Sequence, residues 1–132
     1  MTRLLLDTTF FIDAERSGDG LDELIDDGDD IAVAAVTIAE LRVGALLAKG
    51  KRRSIRTAYV DDVIATIPTL DYDLEVAKAH AELLVEVRTQ GKPRSAHDLI
   101  IAATAKAFDR TIVGADSSAF QQLPGIKVLG HR

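Results

Sequence analysis

The chain has 132 residues, a net charge of −5 and no cysteine. Its length suits one domain over residues 1–132, and the lack of cysteine excludes disulfide bonds and thiolate metal sites. No apolar run approaches the roughly 20 residues of a membrane span, and the start lacks a secretory leader pattern. We therefore expect a cytoplasmic protein. The acidic balance argues against a surface that is basic throughout, but it leaves room for a local basic patch on a nucleic-acid enzyme.

The first half of the chain alternates short apolar runs with helical patterns. The run "IAVAAV" is continuously apolar, as in a strand that is covered on both faces. In chain order we expect a strand at Leu4–Leu6, helices at Thr8–Arg16 and Leu21–Asp27, a strand at Ile31–Val36, and helices at Thr37–Ala48 and from about Lys51 to Ile67.

The second half continues the alternation after Pro68. In chain order we expect a strand at Pro68–Leu70, a helix at Leu74–Arg88, a loop at "QGKPRS", a buried helix at His97–Phe108, and strands at Thr111–Gly114 and Ile126–Leu129. Strands that alternate with helices favour right-handed crossovers and a parallel sheet. The predicted fold class is α/β, with three α/β/α layers around a central, mostly parallel sheet.

Four acidic residues stand where the pattern changes into a helix or turn: Asp7, Glu40, Asp98 and Asp116. Helix capping can explain each one alone. Asp7 can cap the helix that begins at Thr8, and "TIAE" and "SAHD" both have capping-box spacing. Asp116 can cap the turn at "DSSAF".

Taken together, the acids favour a metal site. Three of them follow predicted strands directly, and in parallel sheets ligands bind beyond the carboxyl ends of the strands. Clustered carboxylates repel one another unless a cation compensates. Oxygen ligands without cysteine favour Mg²⁺ or Mn²⁺, which can assist phosphodiester hydrolysis.

Four segments carry a family resemblance: "LLLDTTFFID", "VTIAELRVG", "SAHDLIIAATA" and "TIVGADSSAF". In order and spacing they resemble the motif blocks of PIN-domain proteins, and most of all those of the VapC-type toxins of bacterial toxin–antitoxin pairs. The resemblance covers essentially the whole chain. It implies a PIN-like fold and a Mg²⁺- or Mn²⁺-dependent endoribonuclease that cuts structured RNA such as transfer or ribosomal RNA.

The resemblance also implies roles for individual residues. Asp7 and Asp98 would be the central metal ligands, and Glu40 and Asp116 would complete the acidic catalytic pocket, with Asp116 as a further metal ligand. Thr8 would support Asp7 through its hydroxyl. It further implies a homodimer and a VapB-type antitoxin that inserts an apolar segment into a groove and displaces the metal.

The last block departs from the family pattern at two positions. Gly114 stands where a threonine is frequent, and Ala119 stands where a further acid is frequent. A second metal site is therefore less well supported than the first. Phe120 matches the usual aromatic residue, which we interpret as core packing.

Basic residues have two interpretations. Arg52 and Arg53 belong to a helical stripe with Lys49 and Arg56, which can be a solvated face or a surface that tracks phosphates. Arg42 can hold a phosphate or pair with an acid. Lys92 and Arg94, in the loop before Asp98, are further candidate RNA contacts. His97 adjoins Asp98, but adjacent helical residues point in different directions, so we do not expect it to act as a general base.

Two other functions fit part of the pattern. A receiver-like or phosphoryl-transfer domain also places acids around Mg²⁺ at strand ends, but the first strand lacks a D-x-D motif and no lysine follows the last strands. A catalytically silent interaction module would have no need of all four acids. The toxin ribonuclease is therefore the preferred hypothesis.

Overall fold

A computed structural model describes residues 2–18, 26, 28–114 and 117–130. Over these residues the chain forms five strands, five α-helices and one 3-10 helix. In chain order they are β1 (Arg3–Leu6), α1 (Thr8–Ser17), β2 (Asp30–Ala34), α2 (Ala35–Leu47), α3 (Gly50–Thr66), β3 (Thr69–Leu70), α4 (Leu74–Gln90), α5 (Ala96–Ala107), β4 (Thr111–Gly114), the 3-10 helix (Ser117–Phe120) and β5 (Val128–Gly130).

The five strands form one sheet in the order β3-β2-β1-β4-β5. Every pairing is parallel, so the expected α/β fold is confirmed and the sheet is wholly parallel rather than mostly so. β1 lies in the centre, where Leu5 pairs with Ala32 of β2 and with Ile112 of β4. The carboxyl ends of β1, β2 and β4 therefore meet at one edge of the sheet.

Alternate residues of the strands fill two separate cores. Leu5 and Ile112 face α4 and α5, where they pack among buried residues such as Leu83. Leu6 and its neighbours on the opposite face pack against α1, α2 and α3, with Phe11 fully buried. Because side chains alternate between the faces of a strand, both layers of helices are held by the same three central strands.

The boundary between β2 and α2 differs from the prediction. The strand ends at Ala34 and the helix begins at Ala35, so the predicted strand over Ile31–Val36 is two residues too long and the predicted helix begins too late. Ala35 is a strong helix former, and a short apolar run cannot by itself distinguish strand from buried helix. The capping box that the spacing of Thr37 and Glu40 allowed as an alternative is not formed, since the N-cap is Ala34 and it makes no side-chain capping bond.

The remaining predicted boundaries agree with the structure within about two residues. The helix predicted at Leu21–Asp27 lies, apart from Asp26, outside the described residues. Among the helices that the structure describes, none has both the length and the apolar character needed to cross a membrane.

Arg110 bonds to two neighbouring strands at the amino edge of the sheet. Arg110 precedes β4, and its Nη1 donates to the carbonyl oxygens of Leu4 (3.1 Å) and Asp30 (2.9 Å). The same nitrogen lies 3.0 Å from Oδ1 of Asp30. This cluster joins β1, β2 and β4 at the edge opposite the acidic residues.

Candidate active site

Asp7 follows β1 at the centre of the carboxyl edge and is only 4% exposed. Its backbone N–H donates to the carbonyl of Val113 (3.0 Å), which extends the pairing of β1 with β4. Its Oδ1 accepts from the backbone N–H of Phe10 (3.0 Å) and from the hydroxyl of Thr9 (2.7 Å). Asp7 therefore caps α1, as the sequence allowed, while its carboxylate is fixed at the end of the central strand.

Gly114, the last residue of β4, lies directly against this carboxylate. A Cβ built on Gly114 would overlap Oδ1, Cγ and Oδ2 of Asp7. The absence of a side chain at position 114 thus leaves the space that Asp7 occupies. The sequence showed Gly114 only as a departure from the family pattern, and the structure shows that it accommodates the neighbouring acid.

Glu40 reaches the same edge from the second turn of α2. Its Oε1 accepts a hydrogen bond of 2.7 Å from the hydroxyl of Thr8, which follows Asp7 in the chain. The hydroxyl of Thr37, a fully buried residue, lies 3.4 Å from that of Thr8. Thr8 thus contacts Glu40, and the hydroxyl that contacts Asp7 belongs to Thr9.

Asp98 lies in the first turn of α5, beside the residue that reaches Glu40. The Ser95 hydroxyl caps this helix by accepting from the Asp98 backbone N–H (3.0 Å), as the sequence predicted. α5 leads into the amino end of β4, so its own amino end lies towards the carboxyl edge of the parallel sheet. His97, the residue before Asp98, places Nδ1 3.2 Å from Oε2 of Glu40.

Glu40 is therefore in contact with Thr8 and His97, the chain neighbours of Asp7 and Asp98. Asp116, the fourth predicted acid, lies outside the described residues. Within the described part of the chain, no three His, Cys, Asp or Glu side chains form a group that could hold a metal ion. The chemistry of the donors still fits Mg²⁺ or Mn²⁺, since every acid at this edge offers only carboxylate oxygens.

A polar cleft of about 420 Å³ opens beside Asp98. Lys92 and Arg94 line it, but both are engaged with the segment that follows the 3-10 helix. Nζ of Lys92 donates to Oε1 of Gln122 (2.8 Å), and Nη2 of Arg94 donates to the carbonyl of Gln121 (2.7 Å). The loop before α5 is thus fastened to the chain that follows β4, with two cations next to a candidate metal ligand.

A second cleft, of about 220 Å³, lies between α1, α2 and α3. Glu40 lines it together with Arg56, whose Nε lies 3.4 Å from Oε1 of Glu15. Nearby, the hydroxyl of Tyr59 donates to the carbonyl of Phe11 (3.0 Å). Burial, followed by the charges of Glu15 and Asp62, raises the pKa of the Tyr59 phenol to about 12.

The other predicted RNA contacts are exposed. Arg42 on α2 and Arg53 on α3 form no ion pair with any residue that the structure describes. Arg52 lines shallow depressions on the surface of α3. Among the residues that the structure describes, Arg42, Arg52 and Arg53 form no ion pair with Asp7, Glu40 or Asp98.

Comparison with known proteins gives the family. The model of the PIN domain matches residues 4–126 of the chain. The chain belongs to the PIN-domain family. Within this family it is similar to ribonuclease VapC5 of Mycobacterium tuberculosis, with 37% identity over 92% of this chain and 87% of that protein. It is also similar to toxin FitB of Neisseria gonorrhoeae, with 36% identity over 80% of this chain and 78% of that protein.

The fold of this PIN domain agrees with a solved relative. The crystal structure of VapBC-5 from Mycobacterium tuberculosis, a member of the VapBC family of toxin–antitoxin systems, superposes with a TM-score of 0.80 and 28% identity. The match covers 98% of this chain and 99% of that one. The sequence and structural similarities together support a VapC-type toxin ribonuclease.

Sequence reasoning did not foresee three contacts of the site. Gly114 stood out in the sequence as a departure from the family pattern. Its closeness to Asp7 could not be predicted, because it depends on the register of β1 and β4. Thr37 was treated as a helix cap rather than as a buried neighbour of Thr8. His97 was considered only as a base, although its position in the first turn of α5, two residues after the Ser95 cap, allows it to reach across to α2.

Proposed function

We propose that this PIN domain is a metal-dependent endoribonuclease and the toxin of a VapBC-type pair. In this proposal it hydrolyses phosphodiester bonds in structured RNA, either transfer or ribosomal RNA, in the cytoplasm. Similarity to proteins that are named ribonucleases supports the reaction class. Metal dependence and the kind of RNA rest on the chemistry of the acids and on the family resemblance.

The observation that carries the proposal is that Asp7, Glu40 and Asp98 stand on three elements that all reach the carboxyl edge of the sheet. Asp7 is fixed by the α1 cap, Glu40 by Thr8, and Asp98 lies beside the residue that contacts Glu40. Carboxylates that converge on one edge would favour a bound cation, because the cation relieves their mutual repulsion. A purely structural edge would have no need for three acids on three different elements.

Asp7 and Asp98 would hold Mg²⁺ or Mn²⁺, with Asp116 as a third ligand. A bound ion would supply a Lewis acid that activates water and offsets charge on the phosphate. Glu40 would keep the opposite wall of the pocket negative. The burial of Asp7 restricts its motion and gives one rigid ligand around which the others are arranged.

The cations beside the acids would bind the RNA backbone. The chain carries a net charge of −5, so binding to RNA requires local positive charge. Lys92 and Arg94 lie in the cleft that Asp98 also lines, whereas Arg42, Arg52 and Arg53 lie further out on exposed helix faces. We assign the first pair to phosphates near the cut and the other three to flanking RNA.

The proposed regulator is a cognate VapB-type antitoxin. An apolar segment of it would occupy the cleft between α1, α2 and α3, which Glu40 lines at one side. A basic residue of the antitoxin placed there would compete with the metal for the acids. We also propose a homodimer, in keeping with the VapC resemblance.

The test is RNA cleavage by purified protein with Mg²⁺ or Mn²⁺. Asp7→Asn and Asp98→Asn should abolish cleavage and any growth arrest while the circular dichroism spectrum stays native. Asp61→Asn is a matched control, because Asp61 is an exposed acid on α3. Chelation of the metal should abolish wild-type activity, and restored Mn²⁺ should recover it.

The substrate is found by sequencing RNA ends after induced expression. Cuts that appear with the wild type and are absent with Asp98→Asn identify the RNA and the bond. If both Asn variants cleave as the wild type does, the assignment of the site is wrong. A wild type that produces no new ends in the whole RNA pool, with no growth arrest, would instead favour a catalytically silent module.

A further inference from the structure

The contact between His97 and Glu40 joins one acid of the site to the residue that precedes another, Asp98. Nδ1 of His97 lies 3.2 Å from Oε2 of Glu40, and the hydroxyl of Thr8 donates to Oε1 of the same carboxylate. Each oxygen of Glu40 therefore lies close to a side chain of a different helix: Thr8 of α1 on one side and His97 of α5 on the other. Among the described residues these are the contacts that define where the Glu40 carboxylate lies.

With the Thr8 hydrogen bond alone, the Glu40 side chain could still change its conformation. Its side chain has several rotatable bonds, and it is 27% exposed, so neither packing nor the Thr8 bond alone fixes the second oxygen. The His97 ring has only two rotatable bonds and is carried by the first turn of a helix that Ser95 caps. The His97 ring, which is 55% exposed, is thus a short connection between Glu40 and the backbone that carries Asp98.

We propose that His97 is a positioning residue that holds the Glu40 carboxylate at a fixed distance from Asp98. The inference rests on the proposed function, because it concerns the geometry of the same metal site. His97 acts through Glu40 and does not touch the reacting atoms. It requires a hydrogen on Nδ1, which both the neutral Nδ1–H tautomer and the imidazolium carry.

The chemistry of the ring suggests a selective set of variants. His97→Asn keeps a polar hydrogen donor near the place of Nδ1, whereas His97→Gln moves the amide towards the place of Nε2. His97→Ala removes both. His80→Ala is a matched control, because Nδ1 of His80 also contacts a side chain, the hydroxyl of Tyr72 at 2.7 Å, but on α4.

The first measurement is Mn²⁺ binding by calorimetry, which needs no RNA. We expect His97→Ala and His97→Gln to weaken Mn²⁺ binding by about 10- to 100-fold, as loss of an outer partner of a metal site does. His97→Asn should recover most of the affinity, and His80→Ala should leave it unchanged. Unchanged affinity in His97→Ala would overturn the proposal, and so would tighter binding, which would mean that the contact holds Glu40 away from the ion.

The second measurement is the kinetics of cleavage of an RNA oligonucleotide that spans the mapped cut. A positioning role lowers kcat of His97→Ala and leaves KM close to that of the wild type. A raised KM with unchanged kcat would show that His97 contacts RNA, and would contradict the proposal. An equal loss of kcat in His97→Ala and His97→Asn, with native circular dichroism spectra, would also contradict the proposal.

Asp98→Asn separates this inference from the proposed function. If the wild type binds Mn²⁺, Asp98→Asn does not, and His97→Ala behaves as the wild type, only the role of His97 is rejected. If the wild type neither binds Mn²⁺ nor cleaves RNA, the proposed function is rejected and the inference with it.

Discussion

Gly114 ends β4 directly against the carboxylate of Asp7, the residue that follows β1. The two strands are neighbours, and the N–H of Asp7 bonds to the carbonyl of Val113, so the backbones approach closely at this point. A side chain at position 114 would point into the carboxylate. The position of Asp7, a buried acid of the site, therefore depends on the absence of a side chain at the end of the neighbouring strand.

We predict that Gly114→Ala displaces the Asp7 carboxylate. The added methyl group has no space without a shift of Asp7, which is held at Oδ1 by the α1 cap. Overpacking of this kind costs about 1–3 kcal/mol of stability, and RNA cleavage should fall because the central metal ligand moves. Urea unfolding and Mn²⁺ binding measure the two effects.

Gly130→Ala is the control for this substitution, since a Cβ at Gly130 meets nothing within 4 Å. It should leave stability and Mn²⁺ affinity unchanged. If Gly114→Ala behaves like Gly130→Ala in both measurements, the close approach does not position Asp7.

A second prediction concerns Thr8. Thr8→Val keeps the shape of the side chain but removes the hydroxyl that donates to Oε1 of Glu40 (2.7 Å). The loss of one hydrogen bond costs about 1 kcal/mol in stability. We expect the effect on cleavage to be larger, about 10- to 100-fold, because an acid of the site loses one of its two anchors.

Thr8→Ser keeps the hydroxyl and should cleave RNA nearly as well as the wild type. The comparison separates the hydrogen bond from the methyl group. Equal activity of the Val and Ser variants would mean that Glu40 needs no support from α1.

The third prediction concerns the opposite edge of the sheet. Arg110→Met removes the guanidinium that bonds to Leu4, Asp30 and the Asp30 carboxylate, and leaves a partly buried acid without its cation. The Asp30 side chain is 37% exposed, so solvent screens the ion pair, and the loss comes mainly from the two bonds to backbone carbonyls at about 1 kcal/mol each. The free energy of unfolding should fall by the sum of these two losses, whereas cleavage per folded molecule should not change, since the acids lie at the other edge.

Lys127→Met is the matched control, because Lys127 pairs with Asp109 at 3.7 Å on an exposed surface. Exposed pairs contribute little to stability. If Arg110→Met unfolds at the same urea concentration as Lys127→Met, the contacts of Arg110 at the amino edge do not stabilise the fold.

The sequence predicted those parts of the fold that depend on local patterns. Thr111–Gly114 is a strand with the predicted bounds, because a β-branched apolar run between turn signals has few alternatives. The end of β2 was misplaced because alanine fits strand and helix alike in a buried run. Arg110 and Asp30 are far apart in the chain, and no local pattern indicates that they meet at the edge of a sheet.

The sequence predicted which helices and strands carry the residues of the site, but not which side chains bond to one another. The acids that follow β1 and β2 and the one that opens α5 do lie at one edge, because parallel strands end together. Which hydroxyl bonds to which acid depends on helix rotation: the Thr9 hydroxyl donates to Asp7, and the Thr8 hydroxyl donates to Glu40. The roles of Asp7, Glu40 and Asp98 in catalysis and of Asp116 as a ligand stay predictions that the variants above test.

The last prediction is a pH dependence that involves Tyr59. Burial, with the charges of Glu15 and Asp62, raises its pKa from 10.0 to about 12 in the folded protein. A folded pKa above the unfolded value means that the folded state holds the phenol proton more tightly. This contribution to stability is complete below pH 10 and is lost as the pH rises towards 12.

Tyr59→Phe should therefore respond differently to alkaline pH. At neutral pH it loses the hydrogen bond to the Phe11 carbonyl, which costs about 1 kcal/mol. Between pH 10 and 12 its stability should decline less steeply than that of the wild type, because the group whose proton is lost on unfolding is absent. Urea unfolding across this range measures both effects, with Tyr72→Phe, an exposed tyrosine, as the control. Parallel declines in the wild type and Tyr59→Phe would show that the phenol of Tyr59 titrates alike in the folded and unfolded chains.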